Sequence, residues 1–224
     1  MLSFHQQITE GIVHMLLYRQ ATAAAEAEIT IERSRFIAHV RPVESKEEAD
    51  EFFTAIRKKY RDATHNVPAM VLGDKMQIQW GSDDGEPQGT SGAPMVQLMV
   101  NEGITNTAVI VTRYFGGIKL GTGGLVRAYT QAAQAGLAAS GISQVKEMSI
   151  YTVKIDYSCL AKLQSSEDKY GYRIKEIQYE DMVKAILLSE PENLENVKGF
   201  ISNLTNGKAI IIGEEQGVES IPEK

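Results

Sequence analysis

The apolar residues recur at strand and helix spacings that follow one another as far as residue 140. Ser45 stands where a helix N-cap is expected, and Glu48, three residues on, completes a capping box. A β-branched run at 108–112 is typical of a strand covered on both faces. The pattern predicts, in chain order, a strand over 29–40, a helix over 45–61, strands over 67–72 and 76–80, a short helix at Pro94, a strand over 108–112 and a helix over 124–139.

A second pattern begins near Glu147 and predicts a separate domain. Its elements follow the order βαββαβ, which is the ferredoxin-like, split-βαβ layout. They are a strand over 149–157, a helix over 160–170, strands over 173–179 and 182–188, a helix over 190–204 and a closing strand over 208–213. The domain boundary is placed at 141–146. The predicted organisation is an extension at 1–20, a first domain at 21–142, a second at 147–214 and a tail at 215–224, in the α+β class.

The charge balance limits the kinds of ligand that the protein can hold. The 224 residues carry a net charge of −6. Residues 1–145 contribute −2 and residues 146–224 contribute −4, so neither part is basic. Proteins that grip nucleic acid through bulk charge usually have a basic domain. Any contact with nucleic acid must therefore come from a local patch.

The cysteine count and the lack of apolar segments favour the cytoplasm. Cys159 is the only cysteine, so no disulfide can form within the chain, which fits a reducing compartment. No stretch approaches the roughly 20 apolar residues of a membrane span. The segment 1–13 has neither the cationic start nor the apolar run of a signal peptide. We predict a cytoplasmic protein that makes no membrane contact.

A glycine-rich segment after the 108–112 strand is the strongest chemical signal. Five glycines fall within nine residues, and no Asp or Glu occurs from Thr112 to Ser140. Glycines let backbone amides face one concave space, and the following helix start adds free N–H groups and partial positive charge. This predicts an anion site. Its candidate residues are Arg113, Gly116, Gly117, Lys119, Gly121, Gly123, Gly124 and Arg127.

An alternative reading of the same segment is purely structural. The glycines then permit tight strand-to-helix packing, and the cations pair with nearby acids. The segment lacks the Gly-Lys-Ser/Thr of a Walker loop, and Val126 stands where a dinucleotide fingerprint has its last glycine. No cofactor is predicted.

An acidic segment at 82–92 gathers three carboxylates, three glycines and three hydroxyl side chains. Asp83, Asp84 and Glu86 are candidate ligands for a divalent cation, because hard cations take oxygen ligands. The spacing is not that of an EF-hand. The alternatives are ion pairs with Arg113 or Lys119, the building of a turn, and recognition of a partner. The sequence makes no firm metal assignment.

His65 is a candidate general base, with Asp83 and Asp84 as further weak catalytic candidates. A histidine oriented by a carboxylate can move protons. No nucleophile accompanies it, since Cys159 lies in the other predicted domain and no Gly-x-Ser-x-Gly occurs. The alternative is a scaffold residue that makes hydrogen bonds.

Four blocks of sequence together resemble the IMPACT/YigZ family, in the family's own order. The resemblance covers about 17–140, and the remainder is similar in pattern only. It implies a first domain similar to domain IV of elongation factor G and to the second domain of a small-subunit ribosomal protein. That fold is a two-layer α/β sandwich with a left-handed crossover. A second domain similar to domain V of the same factor is also implied. The blocks are Ser34-Arg35-Phe36-Ile37, Asp62-Ala63-Thr64-His65-Asn66, Asp83-Asp84-Gly85-Glu86-Pro87, and 112–117 with 119–121 and 123–125.

The resemblance implies a role in translation. Eukaryotic members regulate translation by competing with a stress-activated initiation-factor kinase for its ribosome-associated activator. We therefore expect a regulatory protein that binds RNA, the ribosome or a translation-factor protein. The alternative is an enzyme acting on a small phosphorylated or carboxylated substrate. The family has no agreed catalytic residues, and the sequence does not set the oligomeric state. The resemblance starts after residue 14, so Met15 is an alternative initiator to Met1.

Overall fold

The structure is a computed structural model that describes residues 16–223, and it confirms the α+β class. The described chain divides into two compact units. One comprises Leu17–Val145 with the residues from Ser220 onward, and the other comprises Lys146–Glu219. Most of the predicted extension, up to residue 15, lies outside the described residues, as does the alternative start at Met15. From residue 16 onward the supposed extension is a β-strand.

The first unit is built on an antiparallel sheet of five strands in the order β2-β3-β6-β4-β5. Strand β1 pairs instead with a strand of the second sheet, β7 Ile142–Ile155. The elements are β1 Leu16–Ala21, β2 Ala25–Ile31, β3 Ser34–Pro42, α1 Lys46–Lys59, β4 His65–Leu72, β5 Ile78–Gly81, α2 Gly92–Asn101, β6 Thr107–Tyr114 and α3 Gly121–Ser140.

Both faces of this sheet are covered, as the β-branched run in β6 predicts. Successive strand residues point to opposite faces. Val109 and Val111 join the core formed with α2 and α3, whereas Ala108 and Ile110 pack with Phe53 of α1. Helix α1 therefore adds a third layer to the two-layer sandwich that the family resemblance implies. The left-handed crossover stays a prediction.

A tight hairpin replaces the single strand predicted over 29–40. Strands β2 and β3 pair in register from Ala25 opposite Val40 to Ile31 opposite Ser34. The turn consists of Glu32 and Arg33, whose φ angles are 44° and 63°. Two-residue hairpin turns with two positive φ angles usually carry Asn or Gly. These two charged residues give no such signal, so the sequence pattern merges the strands.

The second unit has the predicted βαββαβ order. Its sheet follows the order β10-β7-β9-β8. Strands joined through a helix are therefore separated by one other strand, as a split-βαβ layout requires. The elements are β7 Ile142–Ile155, α4 Tyr157–Gln164, α5 Glu167–Tyr170, β8 Tyr172–Tyr179, β9 Val183–Ser189, α6 Leu194–Leu204 and β10 Ile210–Pro222.

Two elements of the second unit differ from the predicted ones. The helix predicted over 160–170 is broken at Ser165 and Ser166 into α4 and α5. Serine side chains compete for backbone hydrogen bonds and favour such interruptions. The closing strand runs on through most of the predicted tail, as far as Pro222. The N–H of Glu223 then donates to the carbonyl of Ile142 at 2.8 Å.

The helices of residues 16–223 are all too short or too polar to cross a membrane.

Candidate functional site

The acidic segment is a turn held together by Asp83. One oxygen of its carboxylate accepts hydrogen bonds from the N–H of Ser91 (3.0 Å), the hydroxyl of Ser91 (2.7 Å) and the N–H of Gly92 (3.0 Å). The other accepts from the N–H of Gly89 at 2.7 Å. Burial by itself raises the pKa of Asp83, but these hydrogen bonds outweigh it and the pKa is lowered. Asp83 thus fixes the approach to α2.

His65 and Asp84 link this turn to the start of β4. The carboxylate of Asp84 accepts a hydrogen bond from the N–H of Asn66 at 2.6 Å. Nδ1 of His65 lies 2.7 Å from the carbonyl oxygen of Asp84. A carbonyl can only accept, so Nδ1 carries a proton. Nε2 then faces Glu86, 3.8 Å from its carboxylate. These contacts fit the scaffold alternative for His65.

A buried ion pair joins the acidic segment to the beginning of the glycine-rich segment. The side chains of Glu86 and Arg113 are only 3% and 6% exposed, and Nη1 of Arg113 donates to Oε1 of Glu86 at 2.6 Å. The hydroxyl of Tyr129 donates to the same oxygen at 2.8 Å. Burial, and then the charge of Glu86, raises the pKa of Tyr129.

Arg113 is therefore not a free cation of an anion loop, contrary to the first of the two sequence interpretations. The ion-pair alternative for the acidic segment is what the structure shows for Glu86. Nη2 of Arg113 donates to the Ser34 hydroxyl at 3.3 Å. Its guanidinium carbon lies 5.3 Å from the ring centroid of Phe36 and 5.5 Å from that of Phe115. Nε of Arg113 is buried without a hydrogen-bond partner.

The carboxylates of the acidic segment serve different partners and do not converge on one point. Asp83 binds backbone amides, Asp84 binds Asn66 and Glu86 binds Arg113. Across residues 16–223, no group of three or more His, Cys, Asp or Glu side chains is arranged to hold a metal ion. The described structure thus gives Asp83, Asp84 and Glu86 separate hydrogen-bonding partners within the protein.

Several of the glycines have structural roles, in line with the packing alternative. A Cβ on Gly116 would lie 2.1 Å from the carbonyl carbon of Arg33, so only glycine fits there. The N–H of Gly116 donates to the Ser34 hydroxyl at 3.2 Å. Gly117 and Gly121 have φ angles of 87° and 68°, in the left-handed region. A Cβ on Gly124 would approach the Leu120 Cβ to 2.9 Å.

Lys119 and Arg127 differ from Arg113 because both are exposed. Within the described chain, neither forms a hydrogen bond or an ion pair. Phe115 and Ile118 are also exposed, by 46% and 38%. Helix α3 begins here, with no acidic residue in its first turn and no side chain capping it. We call Phe115, Ile118, Lys119 and Arg127 the α3-start surface. Its positive charge and open amide groups suit a negatively charged ligand.

Ser34, Asn66 and Tyr129 belong to this network although the sequence analysis did not select them. Ser34 and Asn66 lie in the family-like blocks, so the blocks were a usable signal. Tyr129 lies among small apolar residues of α3, and nothing in the sequence distinguishes it from a core residue. The Thr112 hydroxyl donates a hydrogen bond to Oδ1 of Asn66 at 2.7 Å, between the neighbouring strands β6 and β4.

Both parts of the chain are similar to known protein domains. Residues 32–137 match the model of the Impact N-terminal domain, and residues 153–208 match that of a domain of unknown function, DUF1949. The IMPACT family member YvyE of Bacillus subtilis (strain 168) is 40% identical over 194 residues, which is 87% of this chain and 89% of that protein.

Two further similarities cover most of the chain. An IMPACT family member of Haemophilus influenzae is 32% identical over 200 residues, covering 88% of this chain and 97% of that protein. A crystal structure described as that of a hypothetical protein has a TM-score of 0.54 and 27% identity, covering 88% of this chain and 97% of that one. The expected resemblance is confirmed, and the chain belongs to the IMPACT family.

Proposed function

We propose that this protein is a cytoplasmic regulator of translation that binds RNA, chiefly ribosomal RNA, through the α3-start surface. The observation that carries the proposal is the exposure of Lys119 and Arg127 without any acidic partner in the described chain. No Asp or Glu occurs from Thr112 to Ser140. Two cations thus remain free to neutralise phosphates.

The overall charge makes such a patch the appropriate device. A net charge of −6 repels a polyanion at long range, so attraction must arise at short range from a few cations. Arg113 contributes nothing to this attraction, because its charge is buried and neutralised by Glu86. The proposed contact therefore uses two side-chain cations and the exposed start of α3.

Membership of the IMPACT family supports the translational part of the proposal. The family resemblance implies control of translation in the eukaryotic members. Ribosomal RNA offers a dense array of phosphates, with which Lys and Arg form strong charge-assisted hydrogen bonds. We favour RNA over a translation-factor protein because its closely spaced phosphates can engage both exposed cations, neither of which pairs with a carboxylate in the described chain.

Co-sedimentation with ribosomes across a series of salt concentrations tests the proposal. The double variant Lys119→Ala/Arg127→Ala is expected to bind more weakly and with a smaller dependence on salt. Losing two phosphate contacts should reduce the slope of log affinity against log salt by about 1.4 for single-stranded RNA. Retention of wild-type affinity and slope would contradict the proposal.

A matched control comes from the other unit of the chain. Arg173 and Lys208 are exposed and form no ion pair within residues 16–223, so Arg173→Ala/Lys208→Ala removes the same two charges elsewhere. This variant should bind ribosomes like the wild type. Binding to protein-free ribosomal RNA separates the two kinds of partner. Suppose that the Lys119→Ala/Arg127→Ala variant loses ribosome binding while the wild type has no affinity for protein-free RNA. The partner would then be a protein, and the RNA proposal would be overturned.

A further inference from the structure

We propose that Phe115 is a stacking platform for an unpaired base, so that the α3-start surface selects single-stranded over double-stranded RNA. This inference rests on the proposed function and names the form of RNA that the surface takes. It is drawn from the ring's exposure, its fixed position and its place four residues before Lys119 in the glycine-rich segment.

The exposure of the Phe115 ring calls for an explanation. Phe115 is 46% exposed, directly after the mostly buried strand β6. Phe115 and Lys119 are four residues apart, so their Cα atoms are at most about 14 Å apart. A base stacked on the ring would therefore have its neighbouring phosphates within reach of a cation. An aromatic ring beside cations is the usual composition of a surface that binds single strands.

The Phe115 ring is also held in place. Its backbone N–H donates to the Thr64 hydroxyl at 3.0 Å. One side of the ring faces the Arg113 guanidinium, with the ring centroid 5.5 Å from its central carbon. Arg113 is itself fixed by its ion pair with Glu86 and by its contact with the ring of Phe36. A ring positioned before binding loses little entropy when a base stacks on it.

The geometry favours unpaired bases for a physical reason. Bases within a duplex are already stacked on their neighbours and offer no free face, whereas loops and single strands do. Stacking on an aromatic side chain contributes about 1–3 kcal/mol per base, which corresponds to roughly 5- to 150-fold in affinity. A duplex would gain only the phosphate contacts. The surface should therefore bind a single strand more tightly than a duplex.

The test compares a labelled oligouridylate with a duplex RNA of the same number of nucleotides, using the full chain. Phe115→Leu keeps an apolar side chain but removes the ring, so affinity for the single strand should fall roughly 5- to 150-fold. The salt slope should stay unchanged, because no phosphate contact is lost. Affinity for the duplex should not change. Phe115→Trp, which restores a ring, should bind the single strand at least as well as the wild type.

The outcomes separate this inference from the proposed function. If Lys119→Ala/Arg127→Ala weakens binding but Phe115→Leu binds the oligouridylate like the wild type, the stacking role is wrong and the RNA-binding surface stands. The stacking role is equally overturned if Phe115→Leu weakens the duplex as much as the single strand, or if Phe115→Trp fails to retain affinity. If neither RNA binds the wild type, the proposed function itself fails.

Discussion

The buried pair of Glu86 and Arg113 connects chain segments that lie 27 residues apart. Taking two charges out of water is costly, and such pairs persist only when further hydrogen bonds satisfy them. Tyr129 and Ser34 provide these hydrogen bonds. The pair consequently holds the acidic turn against the end of β6 and fixes the neighbouring aromatic rings. Its main effect is to position these groups, with little net gain in stability.

Removing the charge of Glu86 should destabilise the protein strongly. In Glu86→Gln the shape is kept, but Arg113 is left as an uncompensated buried charge, so the free energy of unfolding should fall by about 3–5 kcal/mol. The control is Glu28→Gln, which breaks an ion pair with Arg35 whose side chains are 43% and 50% exposed. That exposed pair should contribute far less, because water and salt screen it. Urea unfolding of both variants measures the difference, and similar losses would contradict the assignment.

Asp83 should make the stability depend on pH in the acid range. Its pKa is lowered in the folded protein, so its contribution is fully present above the ordinary carboxyl pKa and is lost as pH falls through the lowered value. At neutral pH, Asp83→Asn should lower the free energy of unfolding by about 1.5–3 kcal/mol. The gap between variant and wild type should narrow below about pH 4. A gap that stays constant from neutral to acid pH would show that the charge of Asp83 is not responsible.

The sequence located these charged residues but could not pair them. Arg113, Lys119 and Arg127 fall within one acid-free segment, which suggested a shared role. Burial separates them, since Arg113 lies inside the central strand β6 while the other two lie on the surface. Which cation meets Glu86 depends on how β6 is aligned with β4, in which His65 lies opposite Arg113. That register is a tertiary feature and cannot be read from local composition.

Helix α3 shows how much of the fold was accessible to sequence analysis at the level of elements. Its small and apolar residues predicted a buried helix, and Ala128, Ala132 and Ala133 are indeed in the core. Helix α1 was likewise predicted from its cap, and the Ser45 hydroxyl accepts a hydrogen bond from the N–H of Glu48 at 3.2 Å. The Glu32–Arg33 turn was missed because neither residue type favours its positive φ angles.

Two glycines of α3 should respond oppositely to substitution by alanine. A Cβ on Gly136 would lie 2.9 Å from both the Ala38 Cβ and a Val40 methyl group, so Gly136→Ala should cost about 1–3 kcal/mol through overpacking. Among residues 16–223, the one neighbour within 4 Å of a Cβ on Gly123 is the end of the Arg127 side chain, at 3.8 Å. Gly123→Ala should therefore stabilise the protein by up to about 1 kcal/mol, because alanine has the higher helix propensity.

Thermal unfolding of the two alanine variants distinguishes packing from ligand binding as the reason for these glycines. Gly136→Ala should lower Tm and Gly123→Ala should raise it or leave it unchanged. A fall in Tm for Gly123→Ala would contradict the open surroundings of that residue. Since the backbone N–H of residue 123 is kept, RNA binding by Gly123→Ala should also stay at the wild-type level.

The units of the whole molecule do not correspond to two consecutive stretches of chain. Residues 220–223 belong with the first unit although they follow the second in sequence. Arg19 donates to both carboxylate oxygens of Glu223, at 2.9 and 2.8 Å, and the Gln144 amide donates to one of them at 3.1 Å. The periodic pattern predicted β10 only as far as residue 213, because charged and glycine residues follow. Its return to the first unit depends on Arg19, which lies 204 residues from Glu223 in the sequence, and on Gln144, which lies 79 residues from it.

Deleting residues 220–224 should therefore loosen the first unit. The deletion removes the carboxylate that holds Arg19 and Gln144, and the backbone hydrogen bond from Glu223 to Ile142. Hydrogen exchange should show a loss of about 1–2 kcal/mol of protection for amides of β1 and of residues 142–145. Amides of β9, which belongs to the second unit, should keep their protection.

Glu219→Ala supplies the control for this deletion, since it removes the partner of Lys175 within the second unit alone. It should leave the exchange of β1 unchanged. If the deletion leaves β1 equally protected, the last residues do not stabilise the first unit. If it instead exposes β9 first, they act on the second unit. Selective exposure of β1 and residues 142–145 would mean that a stable form of the first unit needs the C-terminal strand, because a fragment ending at residue 145 lacks these contacts.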